Sequence, residues 1–297
     1  MPKKNLFTPD MLDRFRREGR GQGTYIRYHP WHCVTRSEPS SHGRSYQMPW
    51  GGRQRNLVSD DEWVGSLFTP MTPGADDLRE QFPLSLETGC HELGAYDVRL
   101  GKPGLPGTLE IARQLGYRHP RTNGNGRSAP WVLTTDLLFT LVDGSGVRKL
   151  LAVACKPPEI FERKKQLLAI EREYWVARGV EWLLLTSRQY DEAVELTLRC
   201  SFPWWLGEQV SDEAKGVAIA LTRELEGLPL SYVLDRIASA LGQGAEHAQQ
   251  AFWQSVWAGV LPLDLRRGWR PHLPVELVSA SKFLEFNPIA SRRTAWN

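Results

Sequence analysis

An aspartate sits inside one apolar run of this 297-residue chain, and a lysine closes the next. Residues 131–142 (WVLTTDLLFTLV) carry Asp136, and residues 147–155 (VRKLLAVAC) lead into Lys156 and the two prolines behind it. A carboxylate buried without a partner is strongly unfavourable, so Asp136 needs a cation or a proton donor beside it. Opposite charges at matching ends of neighbouring core strands stabilise a fold poorly and suit an active site. Whether they meet depends on the connection, because side chains alternate along a strand. A two-residue loop at Gly144–Ser145 places Asp136 opposite Val153 and leaves Lys156 on the other face. A three-residue loop over Gly144–Gly146 pairs Asp143 with Val147 and Asp136 with Ala154, which puts Lys156 on the face of Asp136. The three-residue register is the one expected.

A helix expected over residues 159–178 has Leu167, Leu168, Tyr174 and Trp175 at helical spacing, with Glu171 in the middle of the stripe. A core-facing carboxylate near a strand-end lysine is either its ion-pair partner or part of a metal site, and both readings stay open. A strand aspartate, a lysine and helix glutamates are hard donors that favour Mg²⁺ or Mn²⁺ over zinc. Such a cation activates water and stabilises a pentavalent phosphate, while a lysine neutralises charge or orients the nucleophile. The reaction class is phosphodiester hydrolysis. Glu62 has a simpler explanation as well, since Ser59-Asp-Asp-Glu62 ahead of Trp63, Val64, Leu67 and Phe68 fits a helix start with a capping box.

Net charge is +3, yet residues 1–55 hold 11 basic and 4 acidic side chains, +7 in all, leaving −4 for the rest. Arg20, Gln22, Arg27, Arg44, Arg53 and Arg55 lie in or beside this arm among Gly, Tyr, Trp and His, a composition suited to a phosphate backbone. A solvated basic arm explains the same charges. Of the tryptophans, Trp31, Trp50 and Trp269 are the candidates for stacking on bases. The segment His29-Pro-Trp-His-Cys33 offers possible ligands without a second pair, so ordinary surface or packing roles are the better reading. Cys33, Cys90, Cys155 and Cys200 are scattered, which indicates neither a disulfide framework nor a zinc knuckle. There is no phosphate-loop motif and no nucleophile elbow. No apolar stretch is long enough to span a membrane and the first ten residues lack a signal-peptide core, so a cytoplasmic location is expected.

The elements that must hold these residues follow from pattern. A short helix is expected over residues 7–20, capped by Thr8 or Asp10 and ended by Gly19. Residues 32–58 read as short half-buried strands with turns at 39–43 and 49–52. Residues 85–130, rich in Gly and Pro, are expected to be mobile surface structure with one helix near residues 109–115. The two apolar strands, the helix after Lys156 and a further buried strand at residues 180–186 make an α/β core with a mixed sheet. Helices are expected at 212–226, 230–241 and 245–258, then two extended runs at 259–265 and 275–279. Three helices and a small hairpin fit a winged-helix module. The division expected is a first domain over residues 1–187 and a second over 188–297, with the boundary near 187–207.

In order and approximate spacing, Glu18-Gly-Arg-Gly-Gln-Gly23, Pro39-Ser-Ser-His-Gly-Arg44, Ser59-Asp-Asp-Glu62, Arg79-Glu-Gln-Phe-Pro-Leu84, His119-Pro120, Thr135-Asp136, Lys156-Pro157 and Glu171-Arg-Glu-Tyr-Trp175 resemble TnsA, the endonuclease subunit of heteromeric transposases. The resemblance covers residues 10–187 well and the remainder in outline. It implies a restriction-endonuclease-like catalytic domain with Mg²⁺, followed by a winged-helix domain. It further implies cleavage at the 5′ ends of a transposon, with a DDE-type transposase cutting the 3′ ends, and contacts to that transposase and to an AAA+ regulator. The acidic pair of the family falls on Glu62 and Asp136, its lysine on Lys156 and a helix carboxylate on Glu171. Two residues before the lysine such sites usually carry Glu or Gln, and here stands Ala154. The main-chain carbonyl of Cys155 remains as a metal ligand beside Glu62 and Asp136. Ala154 also supports an alternative, a weakened or non-catalytic assembly subunit. A generic restriction or repair nuclease is a third reading.

Overall fold

The computed structural model describes residues 7–35 and 44–296, so the turn expected at 39–43, most of the Pro39–Arg44 segment and the charges at Lys3, Lys4, Arg36 and Glu38 lie outside the described residues. The chain forms two compact units, one of residues 1–66, 74–186 and 295–297, the other of residues 67–73 and 187–294. In chain order the first contains α1 (Pro9–Arg17), β1 (Tyr46–Trp50), β2 (Arg53–Leu57) and α2 (Asp60–Leu67), whose last residue is counted with the second unit. It continues with β3 (Ala75–Pro83), α3 (Thr108–Gln114), β4 (Arg121–Gly124), β5 (Arg127–Pro130), β6 (Thr134–Val142), β7 (Arg148–Cys155), α4 (Glu162–Val176) and β8 (Glu181–Leu185).

A four-stranded sheet in the order β3-β6-β7-β8 is the frame of this unit. Its first two pairings are antiparallel and the third, β7 with β8, is parallel, with α4 as the crossover. The sheet is therefore mixed, as expected. Leu138, Leu150, Ala152, Ala154 and Leu184 pack with Leu168, Ile170, Tyr174 and Trp175 of α4. Full burial of one such large side chain contributes roughly 1.5–3 kcal/mol, enough to fix the strand face that meets α4. On the other face α2 comes in closely at Gly65, where an added Cβ would lie 2.7 Å from Cys155 Sγ and 3.0 Å from Leu137 Cδ1.

The β6–β7 register is the three-residue one. Asp143 N–H donates to Val147 O at 3.1 Å, and Leu137 stands opposite Val153, which carries Asp136 to the position opposite Ala154. At the amino end, Thr8 caps α1, Pro9 occupies its first position, and Gly19 at φ +69° follows the last turn. Gly51 and Gly52, at φ +62° and +76°, make the tight turn between β1 and β2.

Strand β3 was not expected, since Ala-Asp-Asp-Leu-Arg-Glu-Gln-Phe-Pro does not read as a buried strand. Its charges are matched within the fold. Both carboxylate oxygens of Glu80 accept from Arg53 at 2.6 Å, and Arg55 reaches Glu80 Oε2 at 3.5 Å. The guanidinium of Arg79, 1% exposed, lies over the rings of Phe82 and Tyr96. Strands β4 and β5 also went unanticipated within the Gly- and Pro-rich segment, turning at Asn125-Gly126.

The second unit holds α5 (Glu192–Leu206), α6 (Asp212–Glu224), α7 (Leu230–Leu241), α8 (Ala245–Trp257) and α9 (Ala280–Glu285). Helices α6 to α8 fall on the expected spans. The chain passes from the first unit to the second between residues 186 and 187, at the near end of the boundary expected at 187–207, and most of that stretch is α5, capped by Asp191 and burying Val194, Leu198 and Phe202. The two extended runs behind α8 meet at an isolated bridge, Leu263 with Leu277, rather than along a ladder. Among the described residues no helix is long and apolar enough to cross a membrane.

Candidate active site

Asp136 is held by the strand beside it. Its Oδ2 accepts the N–H of Cys155 at 2.7 Å and a short hydrogen bond from the Lys156 ammonium. The side chains of both residues are largely buried, at 6% and 15% exposure. Burial by itself would pull the lysine pKa down, but the charges of Asp136, Glu62 and Glu171 outweigh it and hold Lys156 above the ordinary lysine value. Lys156 is thus a fixed positive charge. The Cys155 thiol on the opposite face is pushed up, first by burial and then by Asp136 and Glu62.

Glu62 enters from the first turn of α2. The capping box forms only by half: Ser59 Oγ accepts the Glu62 N–H at 3.2 Å, while the Glu62 carboxylate bonds the N–H of Val58, one residue ahead of the cap, rather than that of Ser59. Its Oε2 accepts from the Val58 N–H at 2.8 Å and from Gln81 Nε2 at 2.9 Å. Burial, then the negative charge of Asp136, raises its pKa to about 8. Capping therefore accounts for the Glu62 backbone and leaves its carboxylate to the pocket.

Glu171 comes from the middle of α4. Its Oε1 accepts from Thr135 Oγ1 at 2.9 Å and from Trp182 Nε1 at 3.2 Å, and Thr135 Oγ1 accepts in turn from Trp175 Nε1 at 2.7 Å. The lysine pairs with Asp136, so Glu171 is not its direct ion-pair partner. Burial first, and Asp136 second, raise the pKa of Glu171 to about 7.

Glu62, Asp136, Lys156 and Glu171 line one pocket of 410 Å³, joined there by Gln81 and Lys164. Gln81 carried no signal as a single residue. It stands opposite Asp136 between the pairs Glu80–Leu137 and Phe82–Thr135, and its φ is +50°, a left-handed conformation costing of order 1–3 kcal/mol in a non-glycine residue. That backbone twist accompanies the side-chain hydrogen bond to Glu62.

Each carboxylate is held by one oxygen only. Glu62 Oε1, Asp136 Oδ1 and Glu171 Oε2 receive no protein hydrogen bond among the described residues. Acceptors of this kind in a partly desolvated, acid-rich pocket fit a hard divalent cation with water completing its shell. No group of three or more His, Cys, Asp or Glu side chains among the described residues is arranged to hold a metal alone. The His29–Cys33 segment follows the packing reading, with His32 stacked on Trp131.

Part of the expected DNA-contacting set faces inward. Arg20, 8% exposed, donates to Glu18 and to Trp31 O and lies 3.8 Å from the centre of the Phe15 ring. Arg53 and Arg55 are engaged by Glu80. These three arginines thus have partners inside the fold: Arg20 on Glu18, the Trp31 carbonyl and the Phe15 ring, and Arg53 and Arg55 on Glu80 and the Leu78 carbonyl. Trp31 is likewise no free stacking platform, being 3% exposed and packed edge-on against Phe15. Gln22, Arg27 and Arg44 remain exposed, Arg44 in an ion pair with Asp60. Trp50 and Trp269 are half-buried.

Comparison with known proteins bears on the same unit. Residues 76–187, from β3 to the end of the sheet, match the family described as TnsA-like endonuclease N terminal. Over 240 residues the chain is 30% identical to the transposon Tn7 transposition protein TnsA of Escherichia coli, a match spanning 79% of this chain and 74% of that protein.

Proposed function

The chain belongs to the TnsA family, and from that premise we propose that it is a divalent-cation-dependent endonuclease that cuts the 5′ ends of a transposon by phosphodiester hydrolysis. The observation that carries the reading is the convergence of Glu62, Asp136, Glu171 and Lys156 on one pocket. Glu62, Asp136 and the Cys155 main-chain carbonyl would hold the cation, Mg²⁺ or Mn²⁺. Bound there, it supplies Lewis-acid stabilisation of a phosphate and a more acidic water.

The protein's own groups have distinct tasks. Lys156 holds Asp136 in one orientation and places a permanent positive charge where negative charge grows on the phosphate. Gln81 and the Val58 N–H fix Glu62 so that its second oxygen faces the pocket. Thr135 and Trp182 do the same for Glu171, which brings a carboxylate from the helix to a site whose strand position 154 has none. This arrangement supports a working nuclease over the alternative of a silenced assembly subunit. The restriction-endonuclease-like description of the core belongs to the same proposal. So does a winged-helix role for α6 to α8 with the Leu263–Leu277 bridge.

The resemblance further supports a DDE-type transposase and an AAA+ regulator as partners, with transposon-end DNA contacted through Gln22, Arg27 and Arg44. A strand-cleavage assay on transposon-end DNA, with cognate transposase, regulator and Mg²⁺, tests the reading. The native chain should nick the 5′ ends and lose the activity in EDTA. Asp136→Asn, which keeps an acceptor for the Cys155 N–H, should cut about 100-fold more slowly or worse. Equal cutting by both chains would refute the site, and no 5′ cut by the native chain would refute the enzyme.

A further inference from the structure

The arginine and lysine at the start of α4 serve different hollows. Lys164 lines the carboxylate pocket, whereas Arg163 lines a second one of 480 Å³ together with Arg118, His119, Pro120 and Arg121. The two adjoin along the chain at Arg163–Lys164. They adjoin again where the Trp131 N–H donates to Pro120 O at 2.9 Å, since Trp131 lines the first and Pro120 the second.

The second hollow is basic and has no internal counter-charge. No acidic residue lines it, and among the described residues Arg118, Arg121 and Arg163 form no ion pair. Neutral groups orient two of them instead. Arg121 donates to Ser128 Oγ at 3.0 Å and Ser128 O at 3.2 Å, while Arg163 donates to Gln166 Oε1 at 3.0 Å and Arg118 O at 2.6 Å. His119 is fixed between Thr108 Oγ1 and Pro120 O. Burial first, then the charges of Arg163 and Arg121, hold its pKa below the ordinary value. The Lys164 ammonium makes no ion pair or hydrogen bond among the described residues, and the Lys156 charge, then burial, lowers its pKa. Like charges gathered in one groove repel one another unless an anion joins them.

We infer that this groove binds the DNA backbone beside the cut, taking phosphates that flank the one at Asp136 and Lys156, with Lys164 bridging the two hollows. Guanidinium groups suit phosphate oxygens through paired N–H donors, and the neutral tethers of Arg121 and Arg163 reduce the conformational entropy lost on binding. The inference deepens the nuclease reading and rests on it for the position of the scissile phosphate.

The test is binding, read separately from cleavage. Affinity of the full chain for a short fluorescein-labelled duplex is measured in EDTA over a series of salt concentrations. Each of Arg118→Gln, Arg121→Gln and Arg163→Gln should weaken binding and lower the log–log salt slope by about 0.9, the value for one phosphate contact. Arg121→Lys should keep the slope, because it keeps the charge. Arg99→Gln, outside the groove, should match the native chain. Native slopes in the three groove variants, equal losses in Arg99→Gln, or no salt-dependent binding by the native chain would each overturn the inference. A chain that cuts no DNA but loses slope in the groove variants leaves the groove standing and removes the nuclease reading.

Discussion

Glu62, Asp136 and Glu171 share the pocket with Lys156, which directly pairs only Asp136, and this imbalance has a thermodynamic signature. Glu171 keeps its proton to about pH 7 in the fold, against an ordinary value of 4.5. Between those limits the folded chain binds more protons than the unfolded one, so stability is full at the acid end and falls as pH rises through the window. Glu62, raised to about 8, acts in the same direction. Glu171→Gln retains an acceptor for Thr135 and Trp182 and does not titrate. In EDTA, its stability by urea unfolding should therefore gain on that of the native chain between pH 4.5 and 7. Parallel curves would show that Glu171 titrates as an ordinary glutamate. Ala154 has its own explanation here: it packs in the apolar cluster with Leu168, Tyr174 and Trp175, where a longer polar side chain would be overpacked.

The elements carry these groups with little slack. A three-residue loop after β6 sets the face of Lys156, and one residue fewer would turn it away from Asp136. The alternation rule and the glycines at 144 and 146 made that register legible. Packing of α2 at Gly65 was not legible, because a single glycine within a short helix carries no pattern. An alanine there must push against Cys155 Sγ and Leu137. Gly65→Ala should cost about 1–3 kcal/mol and shift the helix that carries Glu62. Cys155→Ala, which removes the nearest atom, should recover part of the loss in a double-mutant cycle of unfolding free energies. Strict additivity would mean that the two positions are not in contact in solution.

Neither unit is continuous in the chain. Residues 67–73 belong with the helical unit, and residues 295–297 belong with the sheet unit. There the Ala295 N–H donates to Leu184 O at 2.8 Å, and Trp296 meets the ring of Trp182 edge-on at 5.5 Å. Trp182 is also a donor to Glu171, so residues distant in sequence support the pocket's helix carboxylate. Trp296→Ala should destabilise the chain by about 1 kcal/mol through the aromatic pair and its lost burial. It should also lower cleavage more than the other exchange at this contact, Trp296→Phe. Native unfolding and cleavage in Trp296→Ala would show that the contact supports nothing.

Periodicity and loop length were enough to place Asp136 and Lys156 on one face, to put Glu171 on the buried side of a helix and to foresee a mixed sheet. Those inferences are local, since alternation along a strand and spacing along a helix are properties of the segment itself. Burial of Arg20, Arg53 and Arg55, the existence of β3 and the part played by Gln81 came from the folded chain alone. Each depends on a partner far away in sequence: Glu80 neutralises two arginines some 25 residues earlier, at separations of 27 and 25, and Gln81 meets Glu62 across 19. A charged strand becomes a core strand only when opposite charges and aromatic faces close over it, and no window of sequence contains both sides of that contact.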